Sequence, residues 1–152
     1  MYVWFRKIFY RLVLCRLITN FVDWSSPKKS LGDRGELEAE RFLLKQGLIV
    51  LERGYQDKLG EIDLIGVDNR TVVFVEVKSR TGDSAGVPAD AVDQEKQAHI
   101  TRTAKGYMKW HHLQEYPVRF DVVTVQWQAK NCAPRIIHYI DAFEAVGEYQ
   151  MY

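Results

Sequence analysis

Two spacings of apolar residues divide this chain. From Gly60 to Arg80 they favour every second position, the spacing of strands with two unlike faces, whereas around 32–47 and 93–112 they recur every three or four, as on one side of a helix. The pattern predicts a helix over 32–47, a strand over 48–54 and a β-hairpin turning at Asn69-Arg70. A Gly- and Pro-containing loop over 81–90 then leads to a helix over 93–112. Strands over 118–127 and 134–140, paired with each other, precede a short helical ending around Ala142. Asp33 is the expected cap of the first helix, and Gly47 stands where a C-terminal cap belongs. Leu37, Ala39, Phe42 and Leu43 give the first helix its apolar face; Ile100, Ala104, Tyr107, Met108 and His111 give the second its own. This order of elements makes an α/β fold, a three-layer sandwich around a mixed sheet.

Polar residues interrupt the hairpin in a regular way. Alternation sends Glu61, Asp63 and Ile65 to one side of the first arm and Ile62 and Leu64 to the other; in the second arm Phe74, Glu76 and Lys78 oppose Val73, Val75 and Val77. A two-residue turn pairs Asp68 with Thr71, and counting outward sets Asp63 opposite Glu76. Facing like charges cost up to ~1 kcal/mol when exposed and more when desolvated. A hard divalent cation turns that repulsion into a site, because Mg²⁺ takes one or two carboxylates and completes its shell with water and phosphate oxygens. Lys78 points at the same spot, where an ammonium orients or helps deprotonate a water and stabilises charge on a phosphate. Glu36 and Glu40, four residues apart on the first helix, are each placed to add a ligand or position a water. The same residues also read as a solvated hairpin face and as surface acids near a helix start, so pattern alone leaves both readings open.

Taken together, Gly32-x-x-Gly35-Glu36-x-x-Ala39-x-x-Phe42-Leu43, Gly60-Glu61-Ile62-Asp63-Leu64-Ile65 and Phe74-Val75-Glu76-Val77-Lys78-Ser79-Arg80 resemble the PD-(D/E)xK nuclease superfamily. Within it they most resemble the bacterial YraN-like family of uncharacterised endonuclease-fold proteins, itself similar to archaeal Holliday-junction resolvases. The likeness continues through Ala91-Val92, Lys96, Ala104, Arg119-Phe120-Asp121-Val122-Val123 and Asp141-Ala142-Phe143, so it spans about residues 31–145. It implies a restriction-endonuclease-like sandwich and a Mg²⁺- or Mn²⁺-dependent endonuclease acting on structured or branched DNA in repair or recombination. Asp63 and Glu76 would be the central metal ligands, Glu36 rather than Glu40 the helix carboxylate, and Lys78 the lysine acting on the nucleophilic water. Lys96 would lie near the phosphate, with Arg80 among the nucleic-acid contacts. Ile62 stands where the superfamily's name has proline, a departure that leaves the aspartate ligand in place.

Charge qualifies this picture. Residues 1–32 hold six Lys/Arg and one acid, a net of +5, leaving 15 basic and 19 acidic residues, a net of −4, in the remainder. An acidic body binds duplex DNA weakly without a local basic patch, which favours recognition of a particular DNA structure or delivery by a partner. On the second helix Arg102, Lys105 and Lys109 form a basic stripe able to meet a nucleic-acid backbone, or simply a solvated face. The division is into an apolar, basic arm with its linker over 1–30 and an endonuclease-like domain over 31–152. The arm reads as a rough amphipathic helix for a membrane surface, a partner protein or a second subunit, or as a segment that is disordered or packs on the domain. Two cysteines, Cys15 and Cys132, make neither a disulfide framework nor a zinc motif, and no clear export signal appears, so cytoplasm is the expected location. His99, His111, His112 and His138 lack metal-ligand spacing and read as surface or interface residues. Cutting two strands of a junction would call for a homodimer. The competing function is a non-catalytic module that uses the nuclease fold to bind nucleic acid or a repair protein.

Overall fold

The computed structural model describes residues 30–82, 92–128 and 132–147. The expected arm over 1–24, most of its linker and residues 83–90 of the expected loop lie outside them. Helix α1 (Leu31–Lys45) starts at Ser30, whose hydroxyl accepts from Asp33 N at 3.1 Å while the Asp33 carboxylate accepts from Ser30 N at 2.9 Å. Ser30, not Asp33, is therefore the cap, and Asp33 closes the reciprocal box. At the other end Gly47, with φ +93°, turns the chain outward and Leu48 N donates back to Leu43 O.

Strands β1 (Ile49–Asp57), β2 (Gly60–Asp68) and β3 (Thr71–Thr81) form an antiparallel meander. Helix α2 (Gln94–Trp110) then crosses over so that β4 (Val118–Trp127) runs parallel to β3, and β5 (Arg135–Tyr139) returns antiparallel beside β4. The sheet order is β1-β2-β3-β4-β5. β3 is central and Val-rich because both its faces are covered. Val73 and Val75 pack under Ala39 and Leu43 of α1, with Leu64, Val123 and Val125. Val72 and Phe74 face Ile100, Ala104, Tyr107 and Met108 of α2, with Ile62, Ile65, Phe120 and Val122. Three layers result, as the apolar pattern predicts.

Two further expectations change. Residues 140–147 form no helix: Asp141 takes φ +54°, its N–H donates to Asp121 Oδ1, and Ala142 N donates to Phe120 O, so the segment is tied to β4 rather than to itself. Strict alternation also fails inside the hairpin. Ile62 and Ile65 lie in the core beneath α2 while Leu64 lies in the core beneath α1, so the faces of β2 exchange at Asp63. β1 does the same: Arg53 reaches Glu40 of α1, whereas Tyr55 packs on Tyr107 of α2. Between the pairs Arg53↔Leu64 and Tyr55↔Ile62, Gly54 stands across from Asp63 with φ +54°, a conformation that glycine adopts without strain. No helix among the described residues is long and apolar enough to cross a membrane.

Candidate active site

The hairpin register is the one the turn dictates. Pairs run from Asp68↔Thr71 to Leu64↔Val75, and the next step sets Asp63 opposite Glu76. There the backbone ladder gives way to a side chain: Val77 N donates to Asp63 Oδ2 at 2.6 Å, fixing the carboxylate against the strand between Glu76 and Lys78. Glu76 is 4% exposed and its Oε1 accepts from Lys78 Nζ at 2.7 Å. Lys96 Nζ approaches Glu76 Oε2 at 3.3 Å and the exposed Glu61 Oε1 at 3.7 Å. Lys96 is delivered by the first turn of α2, where Asp93 caps the helix by accepting from Lys96 N at 2.8 Å. Glu76 Oε2 is nonetheless buried without a well-formed hydrogen bond, Lys96 being its charge partner.

Helix α1 reaches the site through a glycine. A Cβ on Gly35 would lie 1.6 Å from Ser79 Oγ, so only glycine lets the helix settle onto β3 here. Glu36, the next residue, is half-buried; burial raises its pKa, and the charges of Asp33, Glu61 and Glu76 raise it further. Glu40 goes elsewhere. Its buried carboxylate takes two hydrogen bonds from Arg53, at 2.7 and 2.5 Å, so the two helix glutamates separate into one beside the hairpin acids and one in a structural ion pair.

Burial also governs Asp63, whose pKa rises from its ordinary 3.8 to about 7; the neighbouring Glu76 and Glu36 add to the rise, while the Val77 N–H and Lys96 oppose it. For Lys96 burial works downward, yet Glu76, Asp63 and Glu61 outweigh it and the pKa rises. Two acids and two ammonium groups thus share one desolvated corner. Among the described residues no three His, Cys, Asp or Glu side chains come close enough to hold one ion, so the three-carboxylate set expected from sequence is not assembled as direct ligands. The donor set that remains, Asp63 and Glu76 with an orphaned buried oxygen, suits a hard cation that keeps several waters.

The expected nucleic-acid contacts fare differently. Arg80 lies two residues beyond Lys78 on the strand, where alternation gives it the same face, and Lys105 is exposed on α2. Arg102 is committed to the fold: its Nη2 donates to Leu59 O at 3.0 Å, holding the β1–β2 turn. One polar centre went unread in the sequence. Asp121 is fully buried and accepts from Arg119 at 2.9 and 3.0 Å and from Asp141 N at 2.9 Å, with His138 Nε2 at 2.8 Å; Arg119 continues to Asp68. Only the alternating Arg119-Phe120-Asp121 hinted at it, and His138 is correspondingly internal rather than a surface residue.

The sequence model of the uncharacterised protein family UPF0102 matches residues 35–125. This chain belongs to that family. A UPF0102 protein of Rhodopirellula baltica is 46% identical over 125 residues, covering 80% of this chain and 75% of its own. Another, from Caldanaerobacter subterraneus, is 38% identical over 117 residues, covering 76% and 96% respectively, and one from Syntrophus aciditrophicus is 42% identical over 113 residues, covering 74% and 87%. The UPF0102 match begins at the glycine that seats α1 and encloses Glu36, Asp63, Glu76, Lys78 and Lys96. The α/β sandwich with its mixed sheet is consistent with the nuclease fold expected of this family.

Proposed function

We propose that this chain is a divalent-metal-dependent endonuclease that hydrolyses phosphodiester bonds in structured or branched DNA. The observation that carries the reading is the corner where Asp63, pinned to Val77 N, stands across from a Glu76 contacted by two lysines. Asp63 and Glu76 would hold Mg²⁺ or Mn²⁺, with Glu36 acting through water. When bound, such an ion supplies Lewis-acid chemistry at the phosphate and makes water a better nucleophile. The chain's own groups do the rest. Lys78 orients the attacking water and meets charge growing on the phosphate, and Lys96 offers its ammonium to a phosphate oxygen.

The test is cleavage of single-stranded, duplex, flap and four-way DNA with Mg²⁺ or Mn²⁺. Cleavage of at least one substrate by the wild type is expected, falling about 10²–10³-fold in Lys78→Ala and to background in Asp63→Ala. Unchanged cleavage by Asp63→Ala would remove the proposed site. One observation favours a second reading, a non-catalytic module for nucleic acid or a repair protein: both Glu76 oxygens already face ammonium groups. That module would bind the same DNAs without cutting them, and Mg²⁺ would produce no heat on titration.

A further inference from the structure

Three consecutive residues of α1 fan across the sheet at the end where the acids meet. Gly35 touches β3 at Ser79, and a helical step of ~100° to one side brings Glu36 within the electrostatic reach of Glu76 and Glu61. The equal step to the other side puts Arg34 over β4, its guanidinium carbon 4.4 Å from the centre of the Trp127 ring.

Arg34 stands where the helix dipole disfavours a cation. It lies within one turn of the start of α1, the end of a helix that attracts anions. It is exposed and, among the described residues, makes no ion pair that would explain its place. Trp127 is what holds it. The indole sits on a braced strand end: Trp127 pairs with Thr81 in the β3–β4 ladder, its carbonyl accepts from Gly82 N at 3.0 Å, and Gln126 Nε2 donates to Gly82 O at 2.7 Å. A guanidinium resting on an aromatic face keeps N–H edges available, and that planar fork matches a phosphate better than an ammonium does. Lys78 and Lys96 both contact Glu76, and among the described residues Arg34 is an exposed cation flanking Glu36 on the β4 side.

We propose that Arg34, held over Trp127, binds a backbone phosphate neighbouring the scissile one, so that the polynucleotide passes from Lys96 across the acids to the β4 side of the sheet. Arg34 is a substrate-positioning residue in this scheme. The assignment rests on the phosphodiesterase reading above, yet the two can fail separately.

The full chain is assayed with Mg²⁺ on a fluorescent four-way DNA junction, for cleavage and, by anisotropy across a salt series, for binding. Arg34→Ala is expected to raise KM and Kd roughly tenfold, the loss of one charge-assisted phosphate contact, with kcat changed less than about threefold. The slope of log affinity against log salt should fall by about 0.7–0.9, one phosphate's worth. Arg34→Lys should keep that slope but recover only part of the affinity, Trp127→Leu should move affinity in the same direction, and Arg70→Ala, at the opposite end of the hairpin, should change neither. The melting temperature of Arg34→Ala should change little, since removing a cation from the wrong end of a helix offsets the lost contact with Trp127. Unchanged KM, Kd and slope in Arg34→Ala would overturn the assignment, as would no binding at all by the wild type. A lowered melting temperature with unchanged binding would equally overturn it, reducing the pair to a structural contact. Arg34-dependent binding with no cleavage by the wild type would keep the assignment and defeat the nuclease reading.

Discussion

Asp63 carries opposite demands on one carboxylate. Its pKa of about 7 in the folded chain exceeds its ordinary 3.8, so over that interval the folded state keeps a proton that the unfolded state has released. The associated stability is fully present below about pH 4 and is lost as pH climbs through about 7. Asp63→Asn removes the charge while its amide oxygen can still accept from Val77 N. In the presence of a chelator this variant should melt a few degrees above the wild type at pH 8, on the order of 1 kcal/mol or more, and the difference should vanish near pH 4. Adding Mg²⁺ should reverse the order, raising the melting temperature of the wild type alone. Thermal scans across pH with and without Mg²⁺ make the check; a wild type more stable than Asp63→Asn in chelator at pH 8 would contradict the burial on which this rests. The pairing of Asp63 with Glu76 was legible in the sequence because a two-residue turn leaves register no freedom. Its raised pKa was legible only in part: burial, the largest cause, and the charge of Glu36, distant in the chain, were not readable, whereas the facing charge of Glu76 was.

At the level of elements, the contact of α1 with β3 decides whether Glu36 belongs to the site. Gly35→Ala drives a methyl into Ser79, whose Oγ would stand 1.6 Å away, and the helix must lift or the strand must yield. A loss of about 1–3 kcal/mol is expected, as for overpacked cores, and Ser79→Gly in the same chain should restore much of it by clearing the Oγ and Cβ atoms. Urea unfolding of the single and double variants measures both; equal stability of Gly35→Ala and wild type would show that the contact is looser than the geometry requires. Helix extents were readable from periodicity, and β4 runs over the residues expected of it. The face exchange at Gly54 and Asp63 was not, because period-two reasoning assumes that every residue turns the strand equally, and a glycine at positive φ breaks that assumption. Arg102 illustrates the same limit: helical spacing put it on a basic stripe, and only the packed fold reveals the Leu59 carbonyl that takes its guanidinium.

Across the whole molecule, the Asp121 centre joins what the chain keeps far apart. It links β4 to β5 through His138 and to the closing segment through Asp141 N, and Arg119 extends it to Asp68 at the β2–β3 turn. Burial pushes the Asp121 pKa up, but His138, Arg119 and the Asp141 N–H outweigh it and hold it below the ordinary value. Its contribution is therefore present above the unfolded-state pKa and drains away as pH falls through the lower folded value. Asp121→Ala should cost on the order of 3 kcal/mol near neutral pH, the penalty for leaving a partly buried Arg119 short of its acid, and the difference should shrink in acid. Denaturant titrations at pH 7 and pH 3 test this. The partners of Asp121, namely Arg119, His138 and the Asp141 N–H, are distinct from the groups that contact Asp63 and Glu76, so under the proposed function cleavage by the folded variant should be unaffected. No stretch of sequence announces such a centre, because its members are separated by up to 73 residues, Asp68 to Asp141, and meet only when the sheet closes.

The exchange of faces at Gly54 and Asp63 bears on transplantation. An engineer who grafts only the Glu-Ile-Asp and Glu-x-Lys segments onto a regular hairpin would copy every acid and still aim the aspartate along an ordinary pleat. The instruction that turns it is written on a neighbouring strand, in a residue with no side chain to notice, and a working copy must carry that strand too.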